Sequence, residues 1–428
     1  MTSVPQPGPR PGIHVLAKPI GPVCDIACDY CFYLEKRELF RRGEHFKMSD
    51  EVLARYIEQY IESQPTPVVE FVWHGGEPTL LGVDFFRRAV ELQRPFRGRK
   101  EIRNSLQTNA LRLDDEWCRF LKENDFLVGV SLDGPREIHD RYRRDRHGAG
   151  TFDRVMAGVR RLQAHGVEFN VLACVGRETA GRPLEVYRFF KEIGASFIQF
   201  TPVIEREPDA ETQAIGLWLA RPAELGRPEP NTRVTPWTVV PEAYGDFLIA
   251  IYEEWVRKDV GKVFVMNFEW ALSAWLGAQS PVCIFARQCG RAVAMEHDGS
   301  VFACDHYVYP EYRLGNVLAD DLGAMVERSV ASGFGPHKEL SLPRCCRECE
   351  VKEACWGGCP KHRFALAPDG EPGLHYLCVG YKKFFRHIRK YLRAMTTLIE
   401  NDLPAAMVMQ AIDTPLIIAR PPRAGGQR

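Results

Sequence analysis

This chain lacks a long hydrophobic run, an excess of either charge, and an opening that resembles a signal peptide. No apolar run approaches the roughly 20 residues that a membrane helix needs, and MTSVPQPGPRPG has no apolar core behind a cationic start. Lysine plus arginine equals aspartate plus glutamate, at 56 each, so no overall field favours nucleic acid or an anionic membrane. We therefore expect a cytoplasmic protein, a monomer, that binds neither nucleic acid nor membrane.

The cysteines do not suit a purely structural role in that compartment. The chain has 428 residues, enough for two or three domains, and 14 of them are cysteine. Disulfides are rare in a reducing cytoplasm, so clustered cysteines there indicate a metal or catalytic site. Cys118 and Cys174 stand alone in apolar surroundings and are predicted to be small core residues. All the others lie in residues 24–31 and 283–378.

The first half of the chain alternates between short β-rich runs and helical patterns. Such alternation predicts a parallel sheet with right-handed crossovers. A curled, incomplete barrel and an open doubly wound sheet both fit it. The predicted strands are 14–20, 68–73, 102–108, 126–132, 167–174 and 197–203. The predicted helices are 49–63 with Ser49 as N-cap, 84–93, 114–124, 153–165 and 183–193.

Unusual residues follow four of these strands at their carboxyl ends. CDIACDYC follows the first, HGGEP the second, QTN the third and SLDGP the fourth. In α/β barrels the chemistry gathers at that face, in the loops that follow the strands. The four loops therefore predict one site on one rim and favour the partial barrel.

The second half is predicted to be more irregular. Residues 204–236 are proline-rich and charged, which indicates a long connection. Helices are predicted at 241–257, 267–277 and about 380–399, the last one basic and amphipathic. The predicted α/β organisation is a partial (β/α)6 barrel in residues 1–235, a helical linker region in 236–282, a cysteine-rich and loop-rich domain in 283–400, and a loose tail in 401–428.

Cys24, Cys28 and Cys31 stand on one loop, with three and then two residues between them. Thiolates hold iron–sulfur clusters, and a [4Fe–4S] cluster normally takes four of them. Three close cysteines therefore leave one iron free to bind a substrate or cofactor. A zinc site that borrows a histidine such as His45 is the alternative, but structural zinc takes four protein ligands at closed spacing.

The carboxyl-terminal cysteines supply two further sets of four thiols. Full thiolate ligation shields iron from substrate and suits electron transfer. A zinc ribbon is the alternative on spacing alone. The eight thiols are Cys283, Cys289, Cys304, Cys346, Cys349, Cys355, Cys359 and Cys378.

The C-x3-C-x-aromatic-C spacing, with Tyr30 in the aromatic place, resembles the signature of the radical S-adenosylmethionine superfamily. The GGE sequence resembles the family motif that receives the methionine amino group, where a glycine pair lets the backbone approach the ligand closely. Ser131 and Arg143 lie where relatives bind the methionine carboxylate. The cofactor contacts that this resemblance implies are Gly75, Gly76, Glu77, Ser131 and Arg143, with Tyr33 and His74 as flanking candidates.

The eight carboxyl-terminal thiols resemble the SPASM domain, a twin-cluster extension of peptide-modifying radical enzymes. The resemblance implies three [4Fe–4S] clusters and S-adenosylmethionine as cofactors. Cys345 is an extra thiol that could replace Cys346, although the spacing favours Cys346. The implied first auxiliary set is Cys283, Cys289, Cys304 and Cys359, and the implied second auxiliary set is Cys346, Cys349, Cys355 and Cys378.

Several longer stretches are similar to the anaerobic sulfatase-maturating enzymes, among them CFYLEK, WHGGEPTL, SLDGPREIHDRYR, CDHYVYPEYRLGN and CPKHRF. This resemblance implies that a 5′-deoxyadenosyl radical removes a hydrogen from a cysteine or serine. That residue, in a Cys/Ser-x-Pro-x-Arg motif, becomes Cα-formylglycine. The implied partners are an unfolded sulfatase polypeptide as substrate and a flavodoxin- or ferredoxin-type electron donor.

Asp305, directly after Cys304, is the predicted catalytic base, because the family uses an aspartate at this position. A carboxylate with restricted solvation is expected to have a raised pKa. His306 is a candidate partner for it, whereas His139, His297 and His387 are predicted to be structural. Two other functions fit the pattern: a maturase that forms thioethers or other crosslinks in a ribosomal peptide, and a non-catalytic electron-transfer protein.

Overall fold

Parallel strands and helices alternate through the first two hundred residues, as the hydrophobic pattern predicts. The structure, a computed structural model, describes residues 12–222 and 233–411. Residues 1–11, part of the predicted connection (223–232) and part of the predicted tail (412–428) lie outside the described residues. The strands of this half are β1 (His14–Lys18), β2 (Val68–Trp73), β3 (Glu101–Thr108), β4 (Phe126–Ser131), β5 (Phe169–Val175), β6 (Phe197–Pro202) and β7 (Phe264–Val265).

Amphipathic helices follow these strands and bury their apolar faces against the sheet. Ser49 caps the first helix as predicted, because its side chain accepts a hydrogen bond from the amide of Val52. The helices of this half are α1 (Asp50–Ser63), α2 (Val83–Gln93), α3 (Asp115–Glu123), α4 (Arg136–Tyr142), α5 (Phe152–Ala164), α6 (Pro183–Glu192), α7 (Ala210–Ala214), α8 (Pro241–Lys258) and α9 (Met266–Trp275).

The strand order distinguishes between the two predicted sheets. Strands β1 to β6 lie side by side in chain order, and each pairs with the next in parallel. A doubly wound sheet reverses its strand order at a switch point, and strands β1 to β6 do not. The structure is therefore the predicted partial barrel, with the carboxyl ends of the strands along one rim.

The cysteine-rich region adds strands to the same sheet. Strand β8 (Ala292–Glu296) pairs in parallel with β1, and the antiparallel strands β9 (Ser300–Phe302) and β10 (Arg313–Asn316) follow it. The sheet thus has ten strands and crosses the predicted boundary at residue 283. Few regular elements were predicted in this region, and these strands were not among them. They bring the loop that follows β9 to the rim of the barrel.

Short helices and one long helix complete the described part. A two-stranded ribbon, β11 (Ala365–Leu366) and β12 (Pro372–Leu374), lies between the short helices and the long helix α14, which packs on α8. Among the described residues, no helix is both long and apolar enough to cross a membrane. The helices are α10 (Leu322–Ala331), α11 (His337–Leu340), α12 (Arg344–Arg347), α13 (Lys352–Cys355), α14 (Cys378–Glu400) and α15 (Val408–Ala411).

Candidate active site and thiol clusters

The loop after β1 gathers the first three thiols. Cys24, Cys28 and Cys31 are free thiols, and each is close enough to another to influence its ionisation. Burial is the main cause that raises their pKa values, to about 12 for Cys24. The loop is held by an antiparallel bridge between Ile26 and Asp145. His45, the alternative fourth ligand, is exposed.

The GGEP turn after β2 packs directly against this loop. The amide of Gly76 donates to the carbonyl of Gly21, and the amide of Glu77 donates to the carbonyl of Val23, both at 2.8 Å. A Cβ at position 76 would lie 1.9 Å from the Val23 oxygen, so only glycine fits there. Gly75 has a φ of 120°, a conformation that also favours glycine. The predicted cofactor turn and the predicted cluster loop therefore form one surface.

The carboxylate of Glu77 holds the GGEP turn onto the end of β3. It accepts hydrogen bonds from the amide and hydroxyl of Thr79, the hydroxyl of Thr108 and the amide of Asn109, at 2.6–3.0 Å. Burial raises the pKa of this carboxyl, and the hydrogen bonds oppose that effect. Because its oxygens are engaged in this way, Glu77 positions the turn.

Arg143 forms a buried ion pair with a residue that the sequence analysis did not select. Its Nε lies 3.0 Å from Oδ2 of Asp133, which also accepts a hydrogen bond from Tyr30. Cys174 is not an isolated core residue, because its sulfur lies 3.7 Å from Nη2 of Arg143. Ser131, at the end of β4, accepts a hydrogen bond from Gln107 at 2.9 Å. Cys118, in contrast, is fully buried in the main core, as predicted.

A buried ion pair joins β1 to the loop after β9. Lys18, the last residue of β1, is fully buried, and its Nζ pairs with Oδ1 of Asp305. Burial alone would raise the pKa of the Asp305 carboxyl, but the cation of Lys18 and two nearby histidines hold that pKa well below its usual range. The expectation of a raised pKa is therefore wrong, and Asp305 is ionised at neutral pH.

Tyr33 and His74 lie beside this ion pair. The ring centroid of Tyr33 is 3.5 Å from Nζ of Lys18, and its hydroxyl donates to Glu296 at 2.7 Å. Nδ1 of His74 accepts a hydrogen bond from the next amide at 2.7 Å. Burial, assisted by Lys18, lowers the pKa of His74 to about 4. His74 is therefore a neutral imidazole at the rim.

The structure brings the first auxiliary set together around one cavity. The volume of this cavity is about 310 Å³. Nδ1 of His306 lies 3.3 Å from the sulfur of Cys359. Burial raises the pKa of Cys359 to about 12 and lowers that of His306 to about 3. Six residues of the predicted site line this cavity: Cys283, Cys289, Cys304, Cys359, Asp305 and His306.

The second auxiliary set gathers where α12, α13 and α14 meet. Cys346, Cys355 and Cys378 influence one another's ionisation, and Cys349 influences the last two. Cys345 is also close to Cys346 and Cys378, so both neighbours remain possible ligands. In the described part of the chain, no group of three or more His, Cys, Asp or Glu side chains has the arrangement of a metal-ion site.

A surface cleft of about 450 Å³ opens beside the first thiol loop. Its walls include Cys28 together with two tryptophans and two arginines. Trp218 is 44% exposed, although it is large and apolar. The cationic and tryptophan side chains that line the cleft are Arg37, Arg146, Trp218 and Trp237.

Three charged residues of the site were not predicted from the sequence. Lys18 is the only charge in the predicted strand HVLAKPI, and a single lysine in a buried strand was a usable signal. Asp133 stood within the SLDGP loop that the analysis had singled out. Glu296 gave no signal, because its proximity to Lys18 depends on the pairing of β8 with β1.

Comparison with known families and proteins agrees with this arrangement. The family model of the radical SAM superfamily matches residues 19–190, and that of the SPASM iron–sulfur cluster-binding domain matches residues 283–350. A serine-type anaerobic sulfatase-maturating enzyme of Bacteroides thetaiotaomicron is 44% identical over 94% of this chain and 95% of its own length. A cysteine-type enzyme of Clostridium perfringens is 32% identical over 88% of this chain and 96% of its own length.

Solved structures resemble the chain over most of its length. The structure of anSMEcpe with bound AdoMet and the Cp18Cys peptide has a TM-score of 0.77 and 30% identity. The match covers 91% of this chain and 100% of that one. SuiB of Streptococcus suis with its precursor peptide has a TM-score of 0.57 at 12% identity, which shows a shared fold alone.

Proposed function

This chain belongs to the anaerobic sulfatase-maturating enzymes, and we propose that it converts a cysteine or serine in a Cys/Ser-x-Pro-x-Arg motif of a sulfatase into Cα-formylglycine. It is a radical S-adenosylmethionine enzyme with iron–sulfur clusters. The observation that carries the proposal is the 44% identity with a serine-type relative over almost the entire chain. The lower identity with a cysteine-type relative, 32%, favours serine as the target.

We assign three [4Fe–4S] clusters to the eleven predicted thiols. The donors suit such clusters chemically, because they are free cysteines and each of the three sets contains thiols close enough to influence one another's ionisation. Burial raises the pKa of the ligand thiols in all three groups, so metal binding releases protons from them. When bound to the first cluster, S-adenosylmethionine supplies the radical chemistry that removes a hydrogen atom from Cβ of the target.

Asp305 is the proposed acceptor of the target's hydroxyl or thiol proton. After Cβ has lost a hydrogen atom, that proton is more acidic, because the negative charge left behind is shared with the radical carbon. A carboxylate that Lys18 keeps ionised is ready to accept such a proton. Loss of one hydrogen atom, one proton and one electron turns serine into the aldehyde. Cysteine gives a thioaldehyde, which water hydrolyses.

The surroundings of Asp305 support proton transfer at a position close to the proposed electron acceptor. Asp305 and the first auxiliary set line the same cavity, so the proposed proton acceptor adjoins the proposed electron acceptor. The ring of Tyr33 contacts Lys18, and His74 is close enough to Lys18 and Asp305 to be influenced by both charges. The open cleft beside Cys28 suits an unfolded polypeptide, since its two tryptophans and two arginines offer apolar and cationic contacts.

We further propose a flavodoxin- or ferredoxin-type reductant, a monomeric state, and action in the cytoplasm, where thiols stay reduced. A single assay tests the function: reconstituted enzyme, S-adenosylmethionine and dithionite are incubated with serine- and cysteine-containing motif peptides. Mass spectrometry should show an aldehyde at the target residue, which an aldehyde-specific hydrazide captures. Cofactor cleavage without any modified peptide would contradict the proposal.

The second candidate is another peptide maturase of the SPASM type. Its product would be a thioether or crosslink, which keeps both joined residues and resists hydrazide capture. The same assay with the ribosomal peptide encoded beside this gene distinguishes the two functions. A non-catalytic electron carrier would form no 5′-deoxyadenosine in either reaction.

A further inference from the structure

Two cations are buried beside the auxiliary thiols, and neither has a carboxylate partner among the described residues. Lys338 is fully buried and Arg363 is 4% exposed. Four other buried cations face an acid: Lys18 faces Asp305, Lys36 faces Glu35, Arg143 faces Asp133 and Lys361 faces Glu205. An unpaired buried charge is strongly unfavourable, so such cations are retained where an anion faces them.

Lys338 is bound to the backbone that carries the first auxiliary set. Its Nζ donates to the carbonyls of Cys283 at 2.9 Å and Ile284 at 3.1 Å, and to that of Ala286. These carbonyls satisfy the three N–H groups of the ammonium. They carry no net charge, however, so the positive charge of Lys338 remains uncompensated by the protein.

Arg363 is bound by the loop that joins the two auxiliary sets. Its guanidinium donates to the carbonyls of Trp356 and Gly357, both at 2.8 Å. Trp356, Gly357 and Gly358 all have positive φ, at 45°, 65° and 60°. A Cβ on Gly357 would lie 2.8 Å from Nη2 of Arg363. The three residues between Cys355 and Cys359 are therefore wound around this one guanidinium.

The thiols of both sets act on Arg363, whereas Lys338 lies mainly against the first set. Cys359 and Cys289 of the first set and Cys346 and Cys355 of the second set influence the guanidinium electrostatically. The first-set thiols Cys289, Cys283 and Cys359 act in the same way on Lys338, which also influences Cys355 of the second set. A [4Fe–4S] cluster with four thiolates is an anion in each redox state, so loaded sets would face both cations with negative charge.

We propose that Lys338 and Arg363 are the counter-charges of the auxiliary clusters, with Arg363 shared by both, and that they raise the reduction potentials of these clusters. The inference rests on the proposed assignment of the eight thiols as ligands. Reduction adds one negative charge to a cluster, and a nearby buried cation stabilises that charge. Both auxiliary sets thereby become better acceptors for the electron that leaves the target residue.

The test is a potentiometric titration followed by electron paramagnetic resonance, in a Cys24/Cys28/Cys31→Ala background that leaves only the auxiliary clusters. Arg363→Met should lower the equilibrium constant for one-electron reduction at least tenfold, about 59 mV, at both clusters. Lys338→Met should do so at the first auxiliary set, whose backbone holds Lys338, and should lower the potential of the second set less. Arg363→Lys keeps the charge and should retain most of the wild-type potential.

The matched control is Arg389→Met, which also removes a cation near the second auxiliary set. Arg389 is half-exposed and pairs with Glu350, the residue after Cys349. Its potentials should not change, because exposed charges are screened. Unchanged potentials in fully loaded Lys338→Met would overturn the inference, as would equal shifts in Arg363→Lys and Arg363→Met. A background protein that fails to bind about eight irons would instead overturn the ligand assignment.

Discussion

The first thiol loop and the auxiliary region handle buried charge in different ways. At the first site, Lys18 faces Asp305 and Arg143 faces Asp133, so each cation is balanced by a side chain of the protein. In the auxiliary region, Lys338 is held by backbone carbonyls, and Arg363 is held by backbone carbonyls and the hydroxyl of Ser341. The two cations of the first site are therefore balanced before any cofactor binds, whereas by our proposal Lys338 and Arg363 depend on the clusters for charge balance.

This difference in the pairing of buried charges indicates how each region contributes to the reaction. A site that keeps its charges paired can admit a zwitterionic cofactor and a peptide without reorganising, which preserves its geometry. A region that needs its clusters becomes more stable when they bind, because a ligand that binds only the folded state stabilises it. We therefore expect cluster loading to stabilise the auxiliary region more than the barrel.

Removal of the first three thiols alone should have the largest effect. Replacement of Cys24, Cys28 and Cys31 by alanine should remove about four of twelve irons and all cleavage of S-adenosylmethionine. The auxiliary irons should remain, since their thiols belong to a separate region. Iron analysis and assay of 5′-deoxyadenosine check this prediction. Persistent 5′-deoxyadenosine in the triple variant would refute the assignment of the first site.

Neutralising Asp305 tests its proposed role as the proton acceptor. Asp305→Asn keeps the size of the side chain but removes the proposed proton acceptor, so formylglycine should fall by about a hundred- to ten-thousand-fold. Cleavage of S-adenosylmethionine should continue. Paired time courses of 5′-deoxyadenosine and aldehyde, at equal iron content, measure the two effects.

The control for this variant is Asp153→Asn, which neutralises an exposed carboxylate that is paired with Arg136. Its formylglycine yield should equal that of the wild type. If Asp305→Asn makes aldehyde at the wild-type rate, the proton acceptor lies elsewhere, and His306 and Tyr33 are the next residues to replace.

A smaller change tests the contact between the GGEP turn and the thiol loop. Gly76→Ala places a Cβ against the carbonyl of Val23, and overpacking of this kind costs about 1–3 kcal/mol. We expect binding of S-adenosylmethionine to weaken roughly ten- to a hundredfold. Equilibrium dialysis with the loaded enzyme measures it.

Gly181→Ala serves as the matched glycine variant, because no atom lies within 4 Å of its added Cβ. It should bind the cofactor as the wild type does. Equal affinities for the Gly76→Ala and Gly181→Ala proteins would mean that the turn tolerates displacement and does not set the cofactor's position.

The smallest expected effect is on the pH dependence of the free energy of unfolding, through the buried His139. Burial lowers the pKa of His139 from 6.5 to about 4, and Nε2 lies 3.0 Å from the hydroxyl of Thr151. A histidine that is neutral when folded contributes stability above its unfolded pKa, and this contribution is lost as the pH falls toward 4. Between about pH 7 and pH 5, His139→Gln should lose about 2 kcal/mol less stability than the wild type.

Denaturant unfolding of the loaded proteins at both pH values measures this difference. His165→Gln is the control, because that histidine lies on the surface beside Asp115. An identical pH dependence in the wild type and His139→Gln would show that His139 is not buried in its neutral form.

Local patterns predicted the barrel well, because its strands and helices follow each other along the chain. The predicted strand 68–73 and helix 183–193 match Val68–Trp73 and Pro183–Glu192 almost residue for residue. The three thiols and the GGE turn were also found, since each is a short local motif. The pairing of β8 with β1 was missed, because no local pattern encodes contact between distant segments.

The same limit explains the error at Asp305. Sequence reasoning considered its own loop and expected poor solvation to raise its pKa. The decisive neighbour, Lys18, is distant from Asp305 in sequence but adjacent to it in the fold, and it reverses the direction of the pKa shift. The charges of this site depend on tertiary contacts, so the residue types could be predicted but their ionisation could not.

The position of β8 beside β1 also imposes an order on biosynthesis. The ribosome makes β1 first, but one edge of that strand has its partner only when residues 292–296 have emerged. An unpaired strand edge invites association with other chains, and such distant pairing is slow to form. Until then Lys18 has no acid to face. The part of the rim that holds Lys18 and Asp305 is therefore finished late in synthesis, after the first thiol loop and the GGEP turn have already emerged.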